Sequence, residues 1–364
     1  RVAIRDAALP ALAAFARFLQ REYLAAAPDQ AGVWQMPRGA DMYAYFARLY
    51  TTTDLGPGEI HQIGLQEVAR IRAAMDEIRV ATAFGGSLHE FFEFLRTDPR
   101  FFIDDPQQLL LEYRALAKTI DPKLMSVIGR LPRMQYGVEP TPEAIAPSAT
   151  SGFYYPAATD GSRPGVFQVN LYRPETRPSW QRIPLTLHEA VPGHHLQTSI
   201  AAELEGLPDF RRLAYYMAYG EGWALYCEGL GHELGLYTDP YDRFGQLSME
   251  MWRALRLVVD TGIHEQHWSR RQAIDYFLDN SPMTVNEIEV EVDRYIAWPG
   301  QALAYKIGQM KILELRRGAE QTLAERFDVR GFHDKVLEAG SLPLDLLERR
   351  VGESVADEAA DSSH

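Results

Sequence analysis

The sequence predicts a mainly α-helical protein: a large helical domain with one small antiparallel β-sheet beside a histidine-rich segment. Three observations lead there. Apolar residues recur at helical spacing in long stretches on both sides of the middle of the chain. One short central stretch is instead rich in aromatic and β-branched residues around a turn. The histidine-rich segment follows that stretch almost directly.

Taken in order, residues 8–28 read as an amphipathic helix through Leu9, Leu12, Phe15, Phe18, Leu19 and Tyr23. Residues 58–80 repeat the pattern through Ile60, Ile63, Leu65, Val68, Ile71 and Met75, and residues 85–96 and 106–130 are also expected to be helical. Prolines between Pro140 and Pro147 interrupt the pattern. Ser151 to Tyr155 and Val166 to Tyr172 read as two strands joined through Asp160-Gly161-Ser162-Arg163-Pro164-Gly165. An exposed edge of the strand at Val166–Leu171 would suit strand addition by an extended peptide. From Ile183 to about Gly340 long helices return. Residues 1–352 are expected to form a single domain, and the acidic tail 353–364 to be disordered.

Bulk properties exclude little but are useful. A 364-residue chain with 46% hydrophobic and 24% charged residues is ordinary for a globular protein. The formal net charge of −13 repels phosphate backbones, so nucleic acid is not an expected partner. No apolar run approaches the roughly 18–20 residues of an integral membrane helix. Cys227 is the single cysteine, which rules out an intramolecular disulfide and a cysteine-based zinc site. No signal peptide is visible, but the chain starts Arg1-Val2-Ala3 without a methionine, so cytoplasmic and exported (periplasmic) locations both stay open.

The segment His188-Glu189-Ala190-Val191-Pro192-Gly193-His194-His195 carries the chemistry, and it holds three of the chain's ten histidines. In the His-Glu-x-x-His pattern two histidines one helical turn apart bind zinc, and the glutamate activates a water. Here the position four after His188 is Pro192, which cannot bind metal. Seven residues of regular helix rise about 10 Å, too far for two ligands about 2 Å from one ion. Pro192-Gly193 offers the remedy, because proline removes a helix hydrogen bond and glycine permits unusual dihedrals. A bulge or break there brings His194 to the metal and leaves His195 as a neighbour that binds substrate or supports the groups around the ligands; the reverse assignment stays open.

Zinc held by two histidines usually adds a carboxylate and keeps one position for water. Glu221 is the best candidate, with Glu228 two helical turns on as the alternative ligand or as a partner orienting a histidine. Gly220 and Gly222 are expected to let this helix approach the metal helix. The metal site thus falls within residues 183–310, with the sheet beside the metal-binding helices. For an oxyanion, Tyr305 and His264 are the candidate donors. Arg294 is a candidate for binding a substrate carboxylate, against a plain ion pair with Glu287 or Glu291.

His-Glu-x-x-Pro-Gly-His-His followed by Glu-Gly-Trp-Ala-Leu-Tyr-x-Glu resembles the DUF885 family of bacterial zinc-peptidase-like proteins. The resemblance spans most of the chain, including Val258–His264 and Pro299–Tyr305. More distantly the motifs are similar to gluzincins, whose aminopeptidases carry Asn-Glu-Gly-Phe-Ala with the glutamate as ligand, which implies Glu221 over Glu228. The family implies a mostly helical fold around a small sheet. By analogy with helical metallopeptidases, the N-terminal helices are expected to wall the cleft.

The reading that follows is a zinc peptidase in which His188, His194 and Glu221 hold Zn2+, Glu189 is the general base and the substrate is a peptide. Its rivals are a zinc hydrolase of non-peptide amides or esters, and a non-catalytic metal- or peptide-binding protein. A nucleophilic hydrolase is disfavoured: Cys227 lies in an apolar helix and no Gly-x-Ser-x-Gly elbow is present.

Overall fold

The computed structural model describes residues 1–360 other than 159 and 213. Helices dominate, as expected. Leu88–Thr97 opens on a capping box in which the Ser87 hydroxyl accepts from the Glu90 N–H while Glu90 reaches back to the Ser87 N–H. Pro106–Ile120 opens on an Asp105 cap followed by proline, and gives way at Asp121-Pro122 to a 3-10 turn, so it is shorter than the apolar pattern suggested.

Two helix pairs build the core. Pro57–Ala81 runs along Pro240–His264, burying Val68, Ile71 and Met75 against Leu255, Val258 and Val259. Met217–Gly229 runs along Ala304–Leu323. That second pair is close because neither helix has a side chain at the crossing: a Cβ on Gly222 would lie 2.5 Å from Gly308 Cα, and one on Gly308 would lie 1.8 Å from Ala218 O. Gly222, beside Glu221, therefore serves this crossing, rather than an approach to the His188 helix. Gly220 instead leaves room for the Tyr215 ring.

The sheet has three strands in the order β1-β3-β2. β2 (Gly152–Tyr155) and β3 (Gly165–Val169) form the expected antiparallel pair, with Tyr154 opposite Phe167. β1 (Tyr136–Pro140) adds to the far side of β3 in parallel, with Val138 opposite Phe167, so the sheet is mixed rather than antiparallel. This placement makes β3 the central strand, paired on both sides. The outer strands of the sheet are β1 and β2, and strand addition to Val166–Leu171 is thereby ruled out.

Two further expectations change. The tail is helical well past Glu353, because Leu344–Ala360 turns Leu347, Val351 and Val355 onto the core; residues 361–364 lie outside the described set. At the other end, residues 4–26 are helical, but Leu9, Leu12, Phe15, Phe18 and Tyr23 all face outward. No helix among the described residues is long and apolar enough to cross a membrane.

One buried ion cluster ties three helices. Lys306 is fully buried, and its Nζ lies 2.8 Å from Glu67 Oε2 and 2.7 Å from Glu250 Oε1. Arg70 bonds both carboxylates. Burial alone would raise the Glu67 carboxyl, but Arg70 and Lys306 hold it down at about 2. A carboxylate depressed in the folded state contributes stability above its unfolded pKa and loses it as pH falls through the folded one. The melting temperature is therefore expected to drop between about pH 4.5 and 2, and to drop less steeply in Glu67→Gln. Identical slopes in circular-dichroism melts of the two proteins would refute this role.

Candidate metal centre

The site is built at a break between two helices. Arg182–Glu189 ends immediately after His188 and Glu189, and His194–Ala202 starts at His194. Between them the Val191–Pro192 peptide is cis, and Gly193 has φ −73° and ψ −130°. The break is held by hydrogen bonds from Gly193 N to Leu187 O at 3.0 Å and from His195 N to Ala190 O at 3.1 Å. A Cβ at Gly193 would sit 2.0 Å from the His188 carbonyl oxygen, so glycine is required for this close approach. The Trp223 indole donates to Pro192 O at 2.8 Å, fastening the break to the helix that carries Glu221.

Three side chains converge there. Glu221 Oε2 lies 3.6 Å from His188 Nε2 and 3.2 Å from His194 Nε2. The ligand atoms of the three residues all fall within 4.8 Å of one another, and all three residues are buried. Ligands about 2.0–2.2 Å from a tetrahedral ion stand roughly 3.3 Å apart, and the two spacings from Glu221 to the histidines are close to that. The electrostatics point the same way. Burial alone would lower the His188 imidazole, yet Glu221 and Glu228 push it up to about 9. Although burial opposes it, His194 and His188 hold the Glu221 carboxyl well below its usual range. The carboxylates that favour a proton on His188 equally favour a metal cation in that proton's place, because a metal binds the neutral imidazole.

Around them sit the supporting groups. Glu228 is fully buried and binds His188 Nδ1 at 2.8 Å, which orients the ring so that Nε2 faces Glu221. Arg253 Nη2 lies 3.3 Å from the same Glu228 oxygen. Glu228 is thus the partner of a histidine, and Glu221 the residue in the cluster. Glu189 is buried and lines the same cavity, and burial raises its carboxyl pKa, the direction a general base for near-neutral pH requires.

The cavity has a volume of about 520 Å³ and is lined by residues from Thr150 onward, including Gly152, Phe153 and Tyr154 of β2. No lining residue comes from the N-terminal helices, so the expected walls are supplied by other parts of the fold. Tyr305 and Arg294 do line it: the Tyr305 ring lies 6.4 Å from that of His188, nearly parallel, and Arg294 Nη2 donates to the Tyr305 hydroxyl at 3.3 Å. Arg294 also makes the ion pair with Glu291, at 3.3 Å.

Two expected residues are elsewhere. His264 is fully buried, with Nδ1 accepting from Val33 N at 3.2 Å and Nε2 facing Tyr295 O at 3.0 Å; it locks helices together and does not reach the cavity. His195 turns toward the sheet, where Nδ1 accepts from the Tyr154 hydroxyl at 3.0 Å and Nε2 faces Met134 O at 3.1 Å. Burial depresses its pKa to about 4, so it stays neutral, and it supports Tyr154 instead of meeting a ligand itself. Conversely, sequence reasoning missed Tyr215, whose hydroxyl donates to Glu221 Oε1 at 3.3 Å. The only hint was the glycine at 220, which makes room for its ring. Asp260, in the Val258–His264 segment, is a scaffold residue that accepts from the Tyr43 hydroxyl at 2.6 Å and from Gly300 N at 3.0 Å.

Fold and site together define a mainly helical protein with a buried two-histidine, one-carboxylate cluster in a cavity edged by a small sheet. The chain belongs to the DUF885 family of bacterial proteins of unknown function, whose model matches residues 1–351. Among solved structures it is similar to a Colwellia psychrerythraea protein described as a "putative lipoprotein", with a TM-score of 0.94 and 38% identity over 97% of this chain and 61% of that one. A Shewanella oneidensis protein described as a "putative lipoprotein of unknown function" shares the fold, with a TM-score of 0.72 at 20% identity over 93% of this chain and 62% of that one. The chain thus spans about three fifths of the length of these two structures. No curated protein matches the sequence.

Removing a partner that orients a metal-binding histidine typically costs 10–100-fold in affinity. Any Zn2+ affinity of the cluster is therefore expected to fall by about that factor in Glu228→Gln and to be unchanged in His195→Ala. Competition titration against a chelating dye measures both; equal effects would overturn the assignment of His195 outside the cluster.

Proposed function

We propose that this protein is a zinc-dependent peptidase. One observation carries the reading: His188, His194 and Glu221 bring ligand atoms within 4.8 Å of one another, with the buried Glu189 carboxylate in the same cavity. The donor set of two imidazoles and one carboxylate suits zinc and leaves a fourth position free for water. When bound there, zinc supplies positive charge to polarise a carbonyl and to bring the pKa of water toward neutrality.

The rest is done by the chain. Glu189 takes a proton from the attacking water and returns it to the leaving amine, which its raised pKa favours. Tyr305 and Tyr215, both in the cavity wall, supply hydroxyls to the developing oxyanion. β2 favours a peptide over a small ester as substrate, because its free edge borders the cavity and offers unpaired backbone groups to an extended chain.

Metal analysis of purified protein is expected to show one zinc per chain, with peptide hydrolysis lost on chelation and restored by zinc. Glu189→Gln is expected to keep the metal and lose about 10²–10⁴ in turnover. Full activity in that variant would remove Glu189 as base. Hydrolysis of esters or simple amides with no peptide cut would replace the peptidase reading by that of a non-peptide hydrolase.

A further inference from the structure

The cavity is electrically divided. At the histidine end stand the carboxylates Glu189 and Glu221. Arg253 also lines that end, paired with Glu228, while Arg256 and Arg294 line the cavity beyond the Tyr305 ring. Among the described residues, Glu291 is the one carboxylate paired with either arginine. Its Oε2 accepts from Arg256 Nη2 at 2.9 Å, and its Oε1 accepts from Arg294 Nη1 at 3.3 Å. The Tyr295 hydroxyl donates to the same Oε2 at 2.7 Å, and Arg256 Nε to that hydroxyl at 3.0 Å. Two guanidiniums against one carboxylate leave a positive charge without a counterpart.

That surplus is costly unless something answers it. Arg256 is only 2% exposed, and its Nη1 has no hydrogen-bond acceptor. Leaving a buried charge uncompensated is strongly destabilising, whereas a matching anion repays the desolvation. Arg294 keeps a quarter of its side chain exposed (25%). Its Nη2 is steadied by Gln301 Oε1 at 2.7 Å and by the Tyr305 hydroxyl, so the guanidinium is held ready with donor capacity to spare. The Tyr305 ring sits between the two ends, 6.4 Å from the His188 ring and 4.3 Å from Arg256 Cζ. The arginine wall is therefore within about three extended residues of the cluster, at roughly 3.3–3.6 Å each.

We propose that Arg294, backed by the charge of Arg256, is a subsite for a substrate carboxylate lying within about three residues of the scissile bond. This rests on the peptidase reading for its substrate class. Two sources supply such a carboxylate: the free C-terminus of a short peptide, or an Asp or Glu side chain near the cut.

The test uses N-acetylated tri- and tetrapeptides in matched pairs, one series with a free C-terminus against its amide, the other with Glu against Gln. A hydrogen bond to a charged group is worth about 1.5–3 kcal/mol, so kcat/KM is expected to fall roughly ten- to hundredfold when the recognised carboxylate is neutralised. The first series responds if the terminus is read, and the second if a side chain is. Arg294→Gln is expected to abolish the preference by raising KM for the acid, while Arg294→Lys keeps part of it. The same pairs are titrated by calorimetry against metal-free wild-type protein, a readout that needs neither turnover nor a variant. Preferential binding of the acids with no peptide cut would sustain the subsite and sink the peptidase. Cutting and binding indifferent to both carboxylates would overturn the subsite and leave the peptidase standing.

Discussion

The whole site depends on the absence of a side chain at Gly193. Its backbone passes so near the His188 carbonyl that a single added carbon would be 2.0 Å from the oxygen. An unbroken helix would carry His194 about 9 Å along the axis from His188. The break instead stands the two rings 4.8 Å apart and at right angles, each aiming Nε2 at the same glutamate. Everything next to the break reinforces it: the ladder to Leu187 and Ala190, and the Trp223 indole reaching across to Pro192. The Met217–Gly229 helix can hold Trp223 and Glu221 there only because Gly222 and Gly308 let it lie flush against its neighbour.

What was legible in the sequence follows from how local each relation is. His188, Glu189, His194 and Pro192-Gly193 lie within one turn of chain, so their spacing alone states the geometric problem and its solution. Glu221 and Glu228 are seven apart on one helix, and their division of labour was open until the His188 ring was placed between them. His195 and His264 failed for a shared reason. Each is a histidine beside a motif, but its direction is fixed by a distant partner: Met134 and Tyr154 for one, Val33 and Tyr295 for the other. Nothing in the neighbouring residues announces those contacts.

The sheet and the tail show the same limit. β2 and β3 are joined by a turn and could be paired by inspection, whereas β1 is short and pairs in parallel across more than twenty intervening residues, leaving no hairpin signal. Past Glu353 the chain is acidic, small or polar apart from Val355, yet Val355 stands one turn on from Val351 and continues the buried stripe begun at Leu344 and Leu347. Composition reports the solvent face of such a segment; the buried stripe is carried by a few side chains at helical spacing.

The Pro240–His264 helix explains why the two ends of the cavity keep a fixed separation. Arg253 and Arg256 are three residues apart on it, so they emerge on one face. Arg253 meets Glu228, which orients His188; Arg256 meets Glu291, which it shares with Arg294. Trp252 lies under both guanidiniums, at 4.4 and 4.5 Å, and its indole donates to the Tyr295 hydroxyl at 3.2 Å. Each arginine lines the cavity and is held there by one carboxylate, and a helix packed along Pro57–Ala81 sets the distance between the two pairs. Loops would let the cluster and the arginine wall drift independently. A shared rigid helix makes their spacing a property of the fold, and that spacing selects where along a bound chain a charge must fall.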